Sequence, residues 1–188
     1  MTEQNNEQQQ MSAYEMIFLF NTLAGHQGKP VETKEFWDDV RNQSERVKEE
    51  SVETLDASID EDLLALIDGT ADNMVTAIGL YQRLQMCGVD IDGALADVCE
   101  NNLSKFHIDP EEANKTLKHY EEQGVDVFVR HIALEDGLQY YVVLRKSDNK
   151  VLKPHDYVGV DLQKYVDDAR KLGEAFKEAQ REEENADE

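Results

Sequence analysis

Two neighbouring helical patterns carry acidic side chains whose types and spacing could support chemistry. A helix advances by about 100° per residue, so Glu49 and Glu53 fall close to one line and Glu50 lies a quarter-turn away. In the next helical pattern Asp68 and Asp72 are four residues apart and share a line. The sequence therefore predicts two acidic helix edges within one short stretch of chain.

An apolar stripe runs beside each acidic edge. In the first pattern the stripe consists of Val52, Leu55 and Ile59. In the second it is longer and consists of Leu64, Ile67, Ala71, Met74, Val75 and Ile78. If the two stripes pack against each other, the acids of both helices converge at the edge of the buried seam.

Carboxylates that converge repel one another and lose hydration, so that some should protonate unless a cation is shared. Hard carboxylate oxygens suit Mg²⁺, which keeps several waters and takes further ligands from substrate phosphates. We therefore expect a Mg²⁺ site, with Mn²⁺ as an alternative. A solvated acidic helix face is the competing interpretation, because the chain contains 41 Asp and Glu against 19 Lys and Arg.

The same stretch resembles the all-α nucleoside triphosphate pyrophosphohydrolase superfamily, which includes MazG-like proteins and phosphoribosyl-ATP pyrophosphohydrolase. Members carry Glu-Glu-x-x-Glu on one helix, which Glu49-Glu50-Ser51-Val52-Glu53 matches. They carry an acid-x-x-Asp element on the next helix. Asp68-Gly69-Thr70-Ala71-Asp72 is similar to the Asp-Gly-x-x-Asp variant of phage-type members, with Gly69 where many members have Glu.

Downstream segments extend the resemblance from about Met11 to Leu162. Asn101-Asn102-Leu103-Ser104-Lys105 is similar to the Asn-x-Ser-Lys element of phage-type members. The segment from Ser147 to Lys153, followed by Tyr157, also resembles those members. The order of these segments fits a phage-encoded nucleotide-pool enzyme better than a histidine-pathway enzyme.

The resemblance implies a metal-dependent hydrolase that cleaves the α–β phosphoanhydride of a nucleoside triphosphate, releasing a monophosphate and pyrophosphate. It implies a homodimer or homotetramer, and Glu50 is our choice for the residue that activates water. The expected metal ligands are Glu49, Glu50, Glu53, Asp68 and Asp72. The expected substrate-binding residues are Asn101, Asn102, Lys105, Lys153 and Tyr157.

A non-catalytic acidic interaction protein, either a nucleic-acid mimic or a scaffold, is the alternative function. It needs acids spread over the exposed surface, whereas the enzyme needs several of them in one cleft. The formal net charge of −22 disfavours binding to nucleic-acid backbones and anionic membranes, which attract Lys and Arg. It does not disfavour nucleotides, because metal ions can bridge carboxylates and phosphates.

Several features predict a cytoplasmic protein. Cys87 and Cys99 fall within helical patterns and indicate reduced core thiols. The first ten residues lack the features of a signal peptide, and no run of the sequence is expected to span a membrane.

We predict a mainly α fold, an all-α pyrophosphohydrolase-like bundle with a small antiparallel β-hairpin appendage. The hairpin is indicated by two β-type runs on either side of Glu135-Asp136-Gly137. The expected divisions are a disordered tail over 1–10, a helical core over 11–106, a helix plus hairpin over 107–160, and a C-terminal helix with an acidic tail over 161–188.

Overall fold

A computed structural model describes residues 11–186 of the chain. The tail expected over 1–10 lies outside these residues. The described part is mainly helical, with one antiparallel strand pair, which confirms the predicted class. The elements are α1 (Ala13–Leu23), α2 (Lys34–Ile59), α3 (Leu63–Met86), α4 (Ile91–Leu103), α5 (Pro110–Glu122), β1 (Val127–Ala133), β2 (Gln139–Arg145) and α6 (Gln163–Ala186).

The contacts within the chain divide it into two compact units. The first contains α1, α2 and α3, and α6 joins it from the C-terminal end of the chain. The second runs from Asp92 to Leu162. This division differs from the expected one, because nearly all of α4 belongs with the hairpin and not with the preceding helices.

Helices α2 and α3 form the main packing contact of the first unit. Thr33 caps α2, its hydroxyl accepting a hydrogen bond from the Phe36 amide at 3.2 Å. Asp62 caps α3 in the same way, accepting from the Ala65 amide at 3.1 Å. The short connection between the two helices includes Glu61 with a positive φ of 56°. The pair is therefore antiparallel, and local capping sets where α3 begins.

The seam between α2 and α3 depends on two glycines of α3. A Cβ atom on Gly69 would lie 3.2 Å from the Thr54 hydroxyl and 3.3 Å from the Thr54 amide nitrogen. A Cβ atom on Gly79 would lie 2.9 Å from the Gln43 side-chain nitrogen. A larger residue at Gly69 would press on the α2 backbone, and one at Gly79 would press on the Gln43 side chain.

Polar side chains, and not the apolar stripes, fill this seam. The Gln43 amide donates to the Thr76 carbonyl at 2.8 Å, and the Asn73 amide donates to the Ser51 hydroxyl at 2.9 Å. The expected packing of stripe on stripe within one chain is therefore wrong. Ile78 is half-buried. Seven other members of the two stripes are exposed by 41 to 79%: Val52, Leu55, Ile59, Leu64, Ile67, Met74 and Val75.

A buried ion pair joins the other end of the same two helices. The Arg83 guanidinium, with 4% of its side chain exposed, lies 3.4 Å from the Asp39 carboxylate. It also donates to the Gly79 carbonyl at 3.0 Å and to the His26 ring at 2.8 Å. Asn21 of α1 completes the group, donating to the Gln82 side chain at 3.1 Å. These contacts hold α1 against α3.

In the second unit the hairpin packs on α5. Strands β1 and β2 pair antiparallel, with Val127 opposite Arg145 and Ala133 opposite Gln139. The turn closes where Gly137, with a φ of 88°, follows Asp136. Val142, Val143 and Leu144 of β2 are nearly fully buried. As expected, the hairpin belongs to a different unit from α2 and α3 and is not part of their packing contact.

The sequence predicts no membrane-spanning run, but α3 is long and apolar enough to cross a membrane. Only 11% of its most apolar 18-residue stretch is buried. A single helix of this length and composition is weak evidence of a membrane span.

Two other expectations are corrected. Cys99 is exposed and not a core residue, whereas Cys87 is half-buried, and neither forms a disulfide. The region expected to be an acidic tail continues α6 as far as Ala186.

The Arg83–Asp39 pair provides a test of this architecture. We expect Arg83→Met to destabilise the protein by about 3–5 kcal/mol, because a poorly hydrated Asp39 carboxylate loses its partner. Arg41→Met is the matched control, since Arg41 pairs with neighbouring Asp38 on the exposed surface and its loss should cost under about 1 kcal/mol. Urea unfolding would measure both, and equal losses would contradict a special role for Arg83.

Candidate functional site

The structure brings the five predicted metal ligands to the same region of the α2–α3 pair. The Ser51–Asn73 hydrogen bond sets the register, so that Glu50 lies opposite the turn that contains Asp72. The negative charges of Glu49, Glu53, Asp68 and Asp72 all raise the pKa of Glu50, so all four carboxylates lie near it.

Glu50 occupies the most enclosed position of the five. It is half-buried, whereas Glu49, Glu53, Asp68 and Asp72 are exposed. Burial raises the pKa of the Glu50 carboxyl above its ordinary value of 4.5, and the negative charges of the other four carboxylates raise it further. The other four side chains therefore lie close enough to Glu50 for their charges to act on it.

This arrangement is an open carboxylate patch and not a closed metal cage. Among residues 11–186 no three or more His, Cys, Asp or Glu side chains are grouped as ligands of one metal ion. Mg²⁺ does not require such a group, because it commonly binds through one or two carboxylates, waters and substrate phosphates. The oxygen-only donors suit a hard cation, and the repulsion around Glu50 would be relieved by one.

The predicted substrate-binding residues lie in the second unit, and most of them contact one another. The Tyr157 hydroxyl donates to the Asn101 side-chain oxygen, and the Lys153 ammonium lies 4.8 Å from the centre of the Tyr157 ring. Nearby, Lys105 donates to the Asn102 side-chain oxygen at 2.7 Å. The structure therefore brings Asn101, Tyr157 and Lys153 together, and Asn102 and Lys105 form a separate exposed pair.

An open, largely polar pocket of about 420 Å³ lies beside these residues. Asn101 and Tyr157 contribute to its wall together with Ser104, His107 and Asp156. The Asn101 amide donates to the Val158 carbonyl at 2.7 Å, which fixes one side of the opening. The pocket offers both hydrogen-bond donors and acceptors, together with one aromatic ring.

Sequence reasoning assigned no role to the histidines next to this pocket. The fully buried Thr116 hydroxyl lies 3.2 Å from the His107 ring and 3.2 Å from the His155 ring, and it accepts from the His155 amide at 3.1 Å. Burial lowers the pKa of His107 below its ordinary value of 6.5. The contacts link α5 to both walls of the pocket, and residues 107, 116 and 155 are too far apart in sequence to form a recognisable motif.

The polar residues buried between the helices were also missed. Asn21 and Gln82 interrupt apolar helical patterns, and Gln43 stands among charged residues of α2. A polar residue at an inward position of an apolar stripe is the available signal, because burial requires it to find a hydrogen-bond partner.

No protein family matches the chain, and no curated protein shows significant sequence similarity to it.

The raised pKa of Glu50 leads to a stability prediction for the metal-free protein. With a folded-state pKa above 4.5, ionised Glu50 weakens the folded state at neutral pH, and this effect disappears as the pH falls through the folded pKa. We therefore expect Glu50→Gln to raise the melting temperature at pH 7.5 in EDTA, with a smaller gain at pH 4.5.

Glu45→Gln is the control, because Glu45 is an exposed glutamate of the same helix and the substitution changes the charge equally. Melting curves of both variants at the two pH values make the comparison. An equal gain for Glu45→Gln would assign the effect to the net charge of the protein and not to the patch.

Proposed function

We propose that this protein is a Mg²⁺-dependent nucleoside triphosphate pyrophosphohydrolase that cleaves the α–β phosphoanhydride and releases pyrophosphate. The observation that carries the proposal is the position of Glu50, half-buried in the seam and within the field of four further carboxylates. The motif residues of two separate helices supply these groups. An acidic helix surface without a binding role would not require one of its carboxyl groups to be half-buried.

Each acidic residue has a proposed part. Glu49, Glu53, Asp68 and Asp72, with Glu50, are the metal ligands, and the bound ion supplies neutralisation of the triphosphate charge. Glu50 also orients the attacking water and accepts its proton on a carboxylate oxygen. The water oxygen bonds to the α-phosphorus as the bond to the bridging oxygen breaks.

The nucleotide-binding assignments rest on the resemblance and on the local chemistry of the second unit. Lys105 and Lys153 are cations that suit phosphate oxygens, and the Tyr157 ring can stack on a base. Asn101 and Asn102 supply amide groups that can form hydrogen bonds with a base or a sugar. Asn101 and Tyr157 already bond to each other.

A non-catalytic acidic interaction protein is the second candidate function. Two observations favour it: the absence of a closed ligand group among residues 11–186, and the exposure of many apolar side chains on the helices that carry the acids. Such a protein would use its surface to bind a partner and would need no metal.

The activity prediction separates the two functions. We expect Mg²⁺-dependent pyrophosphate release from a panel of ribo- and deoxynucleoside triphosphates, measured with a coupled pyrophosphate assay. Glu53→Gln and Asp72→Asn should each lower turnover at least about a hundredfold, because each removes a proposed metal ligand. Both variants should fold at least as well as the wild type without metal, since each removes one of several like charges.

Glu45→Gln again serves as the control and should retain full turnover. If turnover in Glu53→Gln and Asp72→Asn equals that of the wild type, the site assignment is wrong. If no triphosphate in the panel yields pyrophosphate, the interaction protein becomes the better hypothesis.

Metal binding should also be visible as a stability change. A ligand that binds only the folded state stabilises it by about 2.7 kcal/mol at a hundredfold excess over its dissociation constant. We expect Mg²⁺ to raise the melting temperature more at pH 8 than at pH 5.5, where protons compete for the carboxylates. NaCl at equal ionic strength is the control, and equal stabilisation by the two salts would indicate screening alone.

A further inference from the structure

A buried hydroxyl links two imidazole rings in the second unit. The Thr116 hydroxyl, on a residue with no exposed surface, lies 3.2 Å from Nε2 of His107 and 3.2 Å from Nδ1 of His155. It also accepts a hydrogen bond from the His155 amide at 3.1 Å. Because solvent does not reach this hydroxyl, these three groups must satisfy its hydrogen bonds.

The three contacts limit how many protons the two rings can hold. A hydroxyl offers one O–H donor and two acceptor lone pairs, and the His155 amide occupies one lone pair. The second lone pair accepts from one of the two facing ring nitrogens, and the O–H donates to the other. A charged imidazole carries a hydrogen on both of its nitrogens, so one ring can be charged without breaking a contact. Charging both rings would direct three N–H donors at two lone pairs and leave the O–H without an acceptor.

The two rings are not anchored equally. The backbone of His107 exchanges two hydrogen bonds with Tyr141 of β2, at 2.8 and 2.7 Å, and Thr116 lies within α5. His155 lies in residues 152–158, which form neither helix nor strand. If the contacts at Thr116 were lost, the 152–158 segment would therefore move away from α5, and His107 would stay in place.

We propose that His107, Thr116 and His155 form a single-proton switch, which accepts one proton without rearrangement and releases the 152–158 segment from α5 when a second proton is bound. His107 and the 152–158 segment both contribute to the wall of the polar pocket of about 420 Å³. The second proton therefore also removes one wall of this pocket. The switch goes beyond the proposed hydrolysis and does not depend on it.

The charged groups around the two rings set the order of protonation. His155 is exposed, and its Nδ1 lies 3.8 Å from the Asp156 carboxylate, so the first proton is expected there. Burial lowers the pKa of His107 below its ordinary value of 6.5, and charge on His155 lowers it further. The carboxylates of Asp156, Glu112 and Asp109 oppose this effect. His107 is therefore the site of the second proton.

NMR titration of the histidines in the full chain tests the switch, with neither metal nor nucleotide present. Ring carbon and nitrogen shifts report the protons on each histidine, and hydrogen exchange of the His155 amide reports its bond to Thr116. We expect the pair to take up its two protons in separate steps. Protection of the His155 amide should fall at least about tenfold with the second step, while the far-UV circular dichroism of the helices stays unchanged.

Thr116→Val keeps the shape of the side chain and removes the hydroxyl. In this variant the two steps should move together by at least about one pH unit, the equivalent of one hydrogen bond, and the His155 amide should be unprotected at every pH. Thr116→Ser is the matched control, because it keeps the hydroxyl and should keep the two steps. His119, which bonds to Gln123 on the exposed surface, is the internal reference and should titrate identically in all three proteins.

Several outcomes would overturn the proposal. One is uptake of both protons in a single step by the wild type with the His155 amide still protected, and another is unchanged spacing of the two steps in Thr116→Val. Unfolding of the whole protein before the second step would also overturn it. If Thr116→Val does not fold, His155→Gln decides, because His107 should then bind its proton at a higher pH than in the wild type, and an unchanged titration of His107 would contradict the switch.

Discussion

The close antiparallel contact of α2 with α3 is the constraint on which the first unit depends. Gly69 and Gly79 permit it, because a Cβ atom at either position would press on α2. Polar groups within the contact are satisfied across it, from the Ser51–Asn73 bond at one end to the Arg83–Asp39 pair at the other. Any residue that separates the helices would therefore also disrupt the acidic patch.

The same contact gives the acids their chemical character. Glu50 is drawn into the seam while its four acidic neighbours stay hydrated, so the neighbours raise its pKa without being buried themselves. This asymmetry distinguishes one carboxyl from the others. The Gly69 position, where many members of the resembled superfamily carry an acid, is used here for close packing against Thr54.

A polar interior of the helix pair leaves the apolar stripes outside. Val52, Leu55 and Ile59 of α2 and the stripe of α3 are exposed in the single chain, and this exposure must be offset by association or tolerated at some cost in solubility. The second unit has its own core in β2 and α5.

The sequence by itself determined where the helices and the hairpin form and which residues share a face of each helix. Caps at Thr33, Asp62 and Asp109 and the turn at Gly137 are local signals, and periodicity correctly grouped Glu49 with Glu53 and Asp68 with Asp72. Tertiary structure alone decided which face turned inward. That choice depends on contacts between residues far apart in the chain, such as Thr54 with Gly69, which no periodicity records. For the same reason, the burial of Arg83 and the meeting of His107, Thr116 and His155 could not be predicted from the order of the residues.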